Sequence, residues 1–575
     1  MLLHRLHLGL LFIVCACPFR AQEGDVYSRL VYPGEDGRLA YRPYTDRGDI
    51  IPDFSWCGYM GGGVDLPDVE VVATLAASGD GNGNGDDAPR IQAVIDSVSG
   101  LSPGADGFRG AILLKKGLYR IASSLRIAGS GIVLRGEGND KFSGTALLAT
   151  SPHRYPVIEI GIAARFRPVA GSERAITDDY VPSGTRVVHV SNASACFRPG
   201  DRVIVHRPST DGWIGTLGMD SIPPRPLPGE STRDAFRRFR QSGGNADMNG
   251  TNQWRPGSKD LNFERRVVSV AGDAVTLDIP LTNALQKEYG GGVIFRYEFP
   301  ERIEQCGVEY LYGLSTYDES VKLHNRHIGL YSGDENHADV FVSIRAAENV
   351  WIRKVNVESL DCCVRTDPSS KFVTGQDLSA VHPVSEITGG RRYAYSISGQ
   401  MVLFERCYAG YHRHEFVLGA TVAGPNAFVA GSGDMTFASS EPHQRWATGC
   451  LYDNITIRGP EGSLLSVNRG WFGSGHGWSG AQMVFWNCSA PVIMIMQPPT
   501  AQNFVIGSGG PVTEQHAALA REQTIKSINN VSRSNFSDTG EPPVGDGWIE
   551  HPARSVTPRS LYYAQLRDRK GKNRE

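Results

Sequence analysis

At Tyr411 the chain reads YHRHEF, so His412, Arg413, His414 and Glu415 stand side by side in a sequence with only fifteen histidines. PHQRW follows at Pro442 and adds His443, Arg445 and Trp446, and the glycine-rich NRGWFGSGHGW from Asn468 adds Arg469, Trp471, His476 and Trp478. Imidazole moves protons near neutral pH because its unperturbed pKa is about 6.5. Arginine forks hold carboxylates through paired N–H donors. Together these residue types suit β-elimination from a uronic-acid-containing polysaccharide. A cation offsets the sugar carboxylate, a base removes the weakly acidic proton at C5, and an acid protonates the departing glycosidic oxygen. On this reading Arg445 or Arg413 grips the carboxylate, His412, His414 or His443 is the base, and His476 or Tyr411 is the acid. Glu415, Trp446, Asn468, Arg469, Trp471 and Trp478 are expected to line the substrate site. A single loop histidine is ordinarily a satisfied polar residue, and the two loop tryptophans could equally pack their own loop. It is the clustering that argues for a site.

The spacing adds to this. Arg445 follows His414 by 31 residues, His476 follows Arg445 by 31, and His382 precedes His414 by 32. Each position follows a short apolar segment, so a constant offset of one looped coil predicts that they stack on one face, with adjacent strands about 4.8 Å apart.

The surrounding elements fit such coils. Asp87 reads as a helix N-cap, with Pro89 in the first turn and Ile91, Val94 and Ile95 at helical spacing. GAILLKKGLYRIASSLRI and GIVLRGEG follow as short alternating segments parted by glycine. GVEYLYGLS, NVWIRKVNVES, QMVLFERCYAG, CLYDNITIRG and AQMVFWNCSAP repeat the pattern in the second half. One amphipathic helix followed by such strands, over about 79–138, resembles the entry to the right-handed parallel β-helix of the pectate-lyase-like superfamily. The resemblance implies an all-β solenoid with an N-terminal capping helix and loops that build a substrate groove on one face. It supports fold more than activity.

Between Phe166 and Tyr297 the pattern shifts to antiparallel strands with Gly-Asp turns, flanking the irregular IPPRPLPGESTRDAFRRFRQSGG. The predicted organisation is therefore a signal peptide over 1–21, an N-terminal segment with cap and first coils over 22–165, and a β-rich insertion over 166–297. The main β-helix with the active site spans 298–510, and a helical and irregular tail spans 511–575. Trp213 and Trp254 in the insertion read as packing residues, with sugar stacking as the alternative. The basic, apolar start of the chain predicts export, and VCAC at Val14 resembles a bacterial lipoprotein box, which would add a lipid anchor. No other run reaches transmembrane length.

Composition limits the partners. The net charge is −3, so no global basic field recruits nucleic acid, and an acidic glycan must be held by a local cluster. The eight cysteines beyond Cys17 lack zinc-like spacing and read as small buried hydrophobes. The elimination requires no cofactor; calcium is the metal left open. In calcium-dependent pectate lyases a Trp-Ile-Asp-His strand supplies a metal carboxylate, whereas NVWIRKVN here has Arg353 and Lys354 at those places. DGNGNGDD at Asp80 is oxygen-rich but lacks the spacing of a calcium loop. Polygalacturonase-like hydrolases carry Asp-Asp and Gly-His-Gly, and the counterparts here, Asp361-Cys362 and Gly475-His476-Gly477, match by accident. Hydrolysis is the runner-up, with Glu415, Asp434 and Glu441 as the available carboxylates. A glycan-binding solenoid without catalysis is the third class.

Overall fold

A computed structural model describes residues 25–78, 85–243, 248–508 and 547–571. The expected signal peptide, the lipoprotein box, most of DGNGNGDD and the helix-forming TEQHAALAREQTIKSI lie outside these residues. The chain forms a right-handed parallel β-helix of three sheets. The first sheet runs without interruption from Val71–Leu75 to Trp548–Glu550, every neighbour parallel. The second includes Thr145–Ala149, Tyr408–Gly410 and Ser432–Asp434. The third begins at Leu125–Ile127 and continues through Tyr393–Ile397, His414–Leu418, Ser439–Pro442 and Ser463–Ser466 to Val492–Ile495.

Alternation along each strand sends one set of side chains inward, where aromatic rings stack coil upon coil. Tyr395 stacks on Phe416 with ring centroids 5.6 Å apart, Phe428 meets Tyr452 at 5.2 Å, and Tyr452 meets Phe485 at 4.7 Å. Each such pair adds about 0.5–1.5 kcal/mol to the burial of its area. Ala88–Ser99 is the capping helix. Its Ile91, Ile95 and Val98 join the core of the first coils. Asp87 sits at the N-cap position but caps nothing: its carboxylate accepts from the Ser78 and Arg120 backbone N–H groups and from Arg90. Of the eight cysteines beyond Cys17, all are unpaired and all but Cys196 are buried. Among the described residues no helix is long and apolar enough to cross a membrane.

An antiparallel sheet interrupts the solenoid between Pro156–Ile160 and Ile303–Ser315. Arg202–Arg207 is its centre, flanked by Leu261–Ala271 and Val293–Glu298. Its apolar core includes the buried Trp213 and Trp254, which therefore pack rather than stack on sugar, and it continues into Trp446 and Trp478 of the solenoid. Charge fixes the joint as well. Both oxygens of buried Glu264 accept from Arg302 at 2.6 Å, and the Lys371 ammonium lies 3.4 Å away. Burial alone would raise the Glu264 carboxyl, but Arg302 and Lys371 overcome it and pull the group down to about 2.

Because the folded-state value is depressed, this contribution to stability is complete above the ordinary glutamate range and is lost as pH falls toward about 2. Arg302→Ala is expected to cost about 3–5 kcal/mol in denaturant unfolding, because it strips the buried Glu264 carboxylate of its two shortest ionic hydrogen bonds. A loss below 1 kcal/mol would mean that Lys371 alone satisfies Glu264.

Candidate active site

The patch forms where the turns leave the third sheet for the first. Backbone hydrogen bonds join those turns: Thr421 N–H donates to Arg445 O at 3.0 Å, and Arg445 N–H donates to His476 O at 3.1 Å. Arg445 and His476 thus occupy matching positions one coil apart, as their spacing predicts. His414 does not. The residue stacked on Arg445 in the preceding coil is Thr421, while His414 opens the strand His414–Leu418. The coils differ in length, since Tyr393 pairs with His414 across 21 residues and Thr448 with Ala481 across 33. The equal 31-residue steps are therefore true stacking in the second instance only, and His382 lies elsewhere.

Four aromatic rings make a continuous row. Tyr393 lies against His414 at 4.7 Å, His414 against His443 at 4.8 Å, and His443 against His476 at 5.0 Å between centroids. Within it is a hydrogen-bonded relay. His443 Nδ1 is 2.8 Å from Glu441 Oε1, and His443 Nε2 is 3.2 Å from the Tyr393 hydroxyl. Arg469 also lies 2.9 Å from Nδ1, but its N–H groups have Glu441 Oε1 and His443 O to donate to, whereas the carboxylate only accepts; we therefore assign the imidazole proton to Nδ1, with the Nε2 lone pair toward Tyr393. Arg469 donates to the same Glu441 oxygen at 2.5 Å and to His443 O at 2.7 Å. Glu441 is buried, whereas Tyr393, His443 and Arg469 keep partial exposure.

The charge states follow from burial and neighbours. Burial pushes the Glu441 carboxyl up, but Arg469 and His443 outweigh it and hold the group below the usual range. Burial, helped by Arg469 and Arg413, lowers His443 and outweighs the raising effect of Glu441, so the ring is neutral near pH 7. Burial raises the Tyr393 phenol, which stays protonated. A neutral imidazole and a protonated phenol in contact are a base and an acid in their working forms. Burial, then Arg469, His443 and Arg445, push His476 down to about 2. The ring is thus held neutral, without the imidazolium proton that a general acid gives up, and this disfavours His476 as the acid. Gly473, at φ 62°, makes room for its ring, since a Cβ there would overlap His476.

Other expectations are corrected. His412 is fully buried, bonded through Nδ1 to Gly410 O, and pushed down to about 3 by burial and Arg392. It cannot reach substrate. His414 is 1% exposed, its Nδ1 held by Ser439 O and its Nε2 without a partner, so it supports the row from behind. Glu415 is sealed in, bonded by Ser440 Oγ, and raised by burial to about 7. Trp446 and Trp478 are fully buried, their indoles donating to Asn283 Oδ1 and Leu217 O of the insertion. Asn468 is buried and accepts from Gly470 N–H. Trp471 is partly exposed and stacks on Phe472 at 4.6 Å. Arg413 donates to Thr388 O and Arg445 to Ser474 Oγ, both partly exposed. Tyr411 lies in a separate groove of about 460 Å3, which Tyr331, Glu358 and His382 also line; its ring is 5.0 Å from His382. Tyr393 is the residue that sequence reasoning missed. Its only signal is its place one short coil before His414.

His414, Glu441 and His443 could offer three ligand atoms within 4.8 Å of one another. Arg469 already sets a cation on the shared carboxylate oxygen, which favours a proton relay over a metal centre. One carboxylate among imidazoles also suits calcium poorly, because calcium takes six to eight oxygen ligands. Arg353, at the place of the pectate-lyase metal carboxylate, is bound to fully buried Glu309 at 2.5 Å and serves the fold.

No family model matches the sequence, and no curated protein matches it. Solved structures that it resembles include the Gp54 tailspike of Acinetobacter baumannii bacteriophage AP22 in complex with A. baumannii capsular saccharide, at 11% identity and TM-score 0.36. That match covers 75% of this chain and 57% of the tailspike. Tailspike gp49 from Pseudomonas phage LKA1 matches at 12% identity and TM-score 0.35, over 74% of this chain and 63% of its own. The endo-xylogalacturonan hydrolase of Aspergillus tubingensis matches at 10% identity and TM-score 0.33, over 76% and 91%. The chain thus spans about three fifths of the two tailspikes.

Burial outweighs the Glu441 bond, so in NMR titration His443 is expected to have a midpoint below about 6.5, and Glu441→Gln, which removes a bond that supports the charged ring, should lower it further. A midpoint above about 7 would mean that the carboxylate outweighs burial.

Proposed function

We propose that the protein is an exported, carbohydrate-active β-helix enzyme, a lyase that cleaves a uronate-containing glycan by β-elimination. The relay from Glu441 through His443 to Tyr393, bordered by the guanidinium groups of Arg413, Arg445 and Arg469, carries this reading. The arginines hold the sugar carboxylate and favour the charge that develops when C5 is deprotonated. His443 Nε2 takes the C5 proton, and Glu441 stabilises the resulting imidazolium. The C4–O bond breaks as the C4=C5 double bond forms, and Tyr393 gives its proton to the leaving oxygen. Proton transfer from His443 to Tyr393 across their hydrogen bond restores both groups.

The carboxylates argue against hydrolysis. Of the three candidates, Glu415 is sealed inside and Asp434 is paired with Arg458 at 3.0 Å on the second-sheet side. Glu441 is left alone in the patch, already committed to Arg469 and His443. A hydrolase of the usual kind needs two.

Purified protein given uronate-rich glycans is expected to release products with the ultraviolet absorbance of an unsaturated uronate; reducing ends without that absorbance would indicate hydrolysis instead. Tyr393→Phe should lower kcat by about 10²- to 10⁴-fold, the usual size of a general-acid contribution. Activity should fall as acid protonates His443, below the ordinary imidazole range, and again above about pH 10 as Tyr393 ionises. A profile with its optimum centred on the carboxylate range would contradict these roles.

A further inference from the structure

The row of turns that carries His476 and Arg445 continues away from them into a cavity of about 810 Å3 between the solenoid and the insertion. Its solenoid side is made by Asp367, Ser369, Ser398, Gln400 and Thr421, the turns of the preceding coils. Thr421 is hydrogen bonded to Arg445, so the cavity begins one coil from the patch. The opposite wall combines the two ends of the insertion, around Phe166 and Phe299, with one stretch of its central chain. Lys259, whose ammonium is lowered by burial and then by the nearby Arg445, stands at the patch end, and Asp260, Asn262 and Glu264 follow it into the cavity. Patch and cavity thus adjoin along one row of turns.

The charge along that row changes sign. At the patch, Arg413, Arg445, Arg469 and Lys259 surround one carboxylate, Glu441, which is internally paired. In the cavity Glu264 is neutralised by Arg302 and Lys371, but among the described residues Asp260 and Asp367 are not matched by any ion pair closer than the 3.7 Å approach of His206 to Asp260. Local donors hold one oxygen of each: Ser209 N–H and Oγ bind Asp260 Oδ1, and Ser369 N–H and Oγ bind Asp367 Oδ1. The second oxygen of each stays available to accept a hydrogen bond. Among the described residues, Arg165 lines the cavity beside them, Lys259 and the buried Arg207 lie near Asp260, and Phe166 and Phe299 give the cavity apolar surface.

We propose that this cavity binds an uncharged sugar of the same chain whose uronate occupies the patch, so that the substrate is a mixed glycan in which uronates adjoin neutral sugars. Hydroxyl groups donate to Asp260 and Asp367, and a sugar ring covers Phe166. A second uronate would face two fixed carboxylates, and like-charge contact of this kind works against binding. The inference rests on the lyase reading for its choice of uronate at the patch, while the preference of the cavity stands on its own charge and shape.

The test measures binding to Tyr393→Phe protein by calorimetry, so that it does not require turnover. The probes are an oligogalacturonate and an oligosaccharide of equal length in which galacturonate alternates with a neutral deoxyhexose. The mixed probe is expected to bind at least about tenfold more tightly, and Asp260→Asn and Asp367→Asn, one on each wall, should each narrow the ratio by about three- to tenfold. Equal or tighter binding of the oligogalacturonate, or a ratio unmoved by both substitutions, overturns the inference. If the preference holds while native protein yields no unsaturated product from any uronate glycan, the lyase reading fails and the cavity assignment stands.

Discussion

Backbone hydrogen bonding between successive turns governs this protein. Strands of a parallel β-helix sit about 4.8 Å apart, and the bonds from Thr421 to Arg445 to His476 extend that spacing beyond the strands into the loops. Residues tens of positions apart in sequence are thereby fixed within side-chain reach. The relay from Glu441 to Tyr393 exists because consecutive third-sheet coils set Tyr393 beside His414 and put Glu441 in register with Val417, so that His443, just past the strand end, reaches both Glu441 and Tyr393. Functional side chains on such a scaffold inherit the rigidity of the core beneath them, here the stacked rings from Tyr395 to Phe485.

The insertion is the second determinant. It does not extend the solenoid but leans on the edge where the site forms, buries Trp446 and Trp478 in its own core, and locks on through Glu264 and Arg302. A β-helix edge is otherwise a shallow surface. With the insertion in place, the turn that carries His476 is pinned against Asn252 and Trp254.

Much of this was legible in sequence. The alternating segments, the amphipathic helix at Ala88 and the antiparallel interruption gave the architecture, and clustering of His443, Arg445, Arg469 and His476 marked the region. Side-chain roles were less accessible, for two physical reasons. Burial by a non-local element leaves no local trace: Trp446 and Trp478 look like exposed loop tryptophans until Asn283 and Leu217 are seen to receive their indoles. Unequal coil lengths also break any constant offset, so His414 was aligned with Arg445 although Thr421 holds that place, and Tyr393 was overlooked. His412 and His414, two residues apart, differ from what adjacency implies because one turns toward Arg392 and the other toward Glu441.

The central claim is that stacked turns place one uronate between the arginines and the His443–Tyr393 pair. A crystal structure of the Tyr393→Phe protein with a bound acidic oligosaccharide tests it most directly. The account requires the sugar carboxylate on Arg445 or Arg469 with C5 facing His443 Nε2. An oligosaccharide seated instead in the groove of Tyr411 and His382, with the His443 row empty, would contradict it.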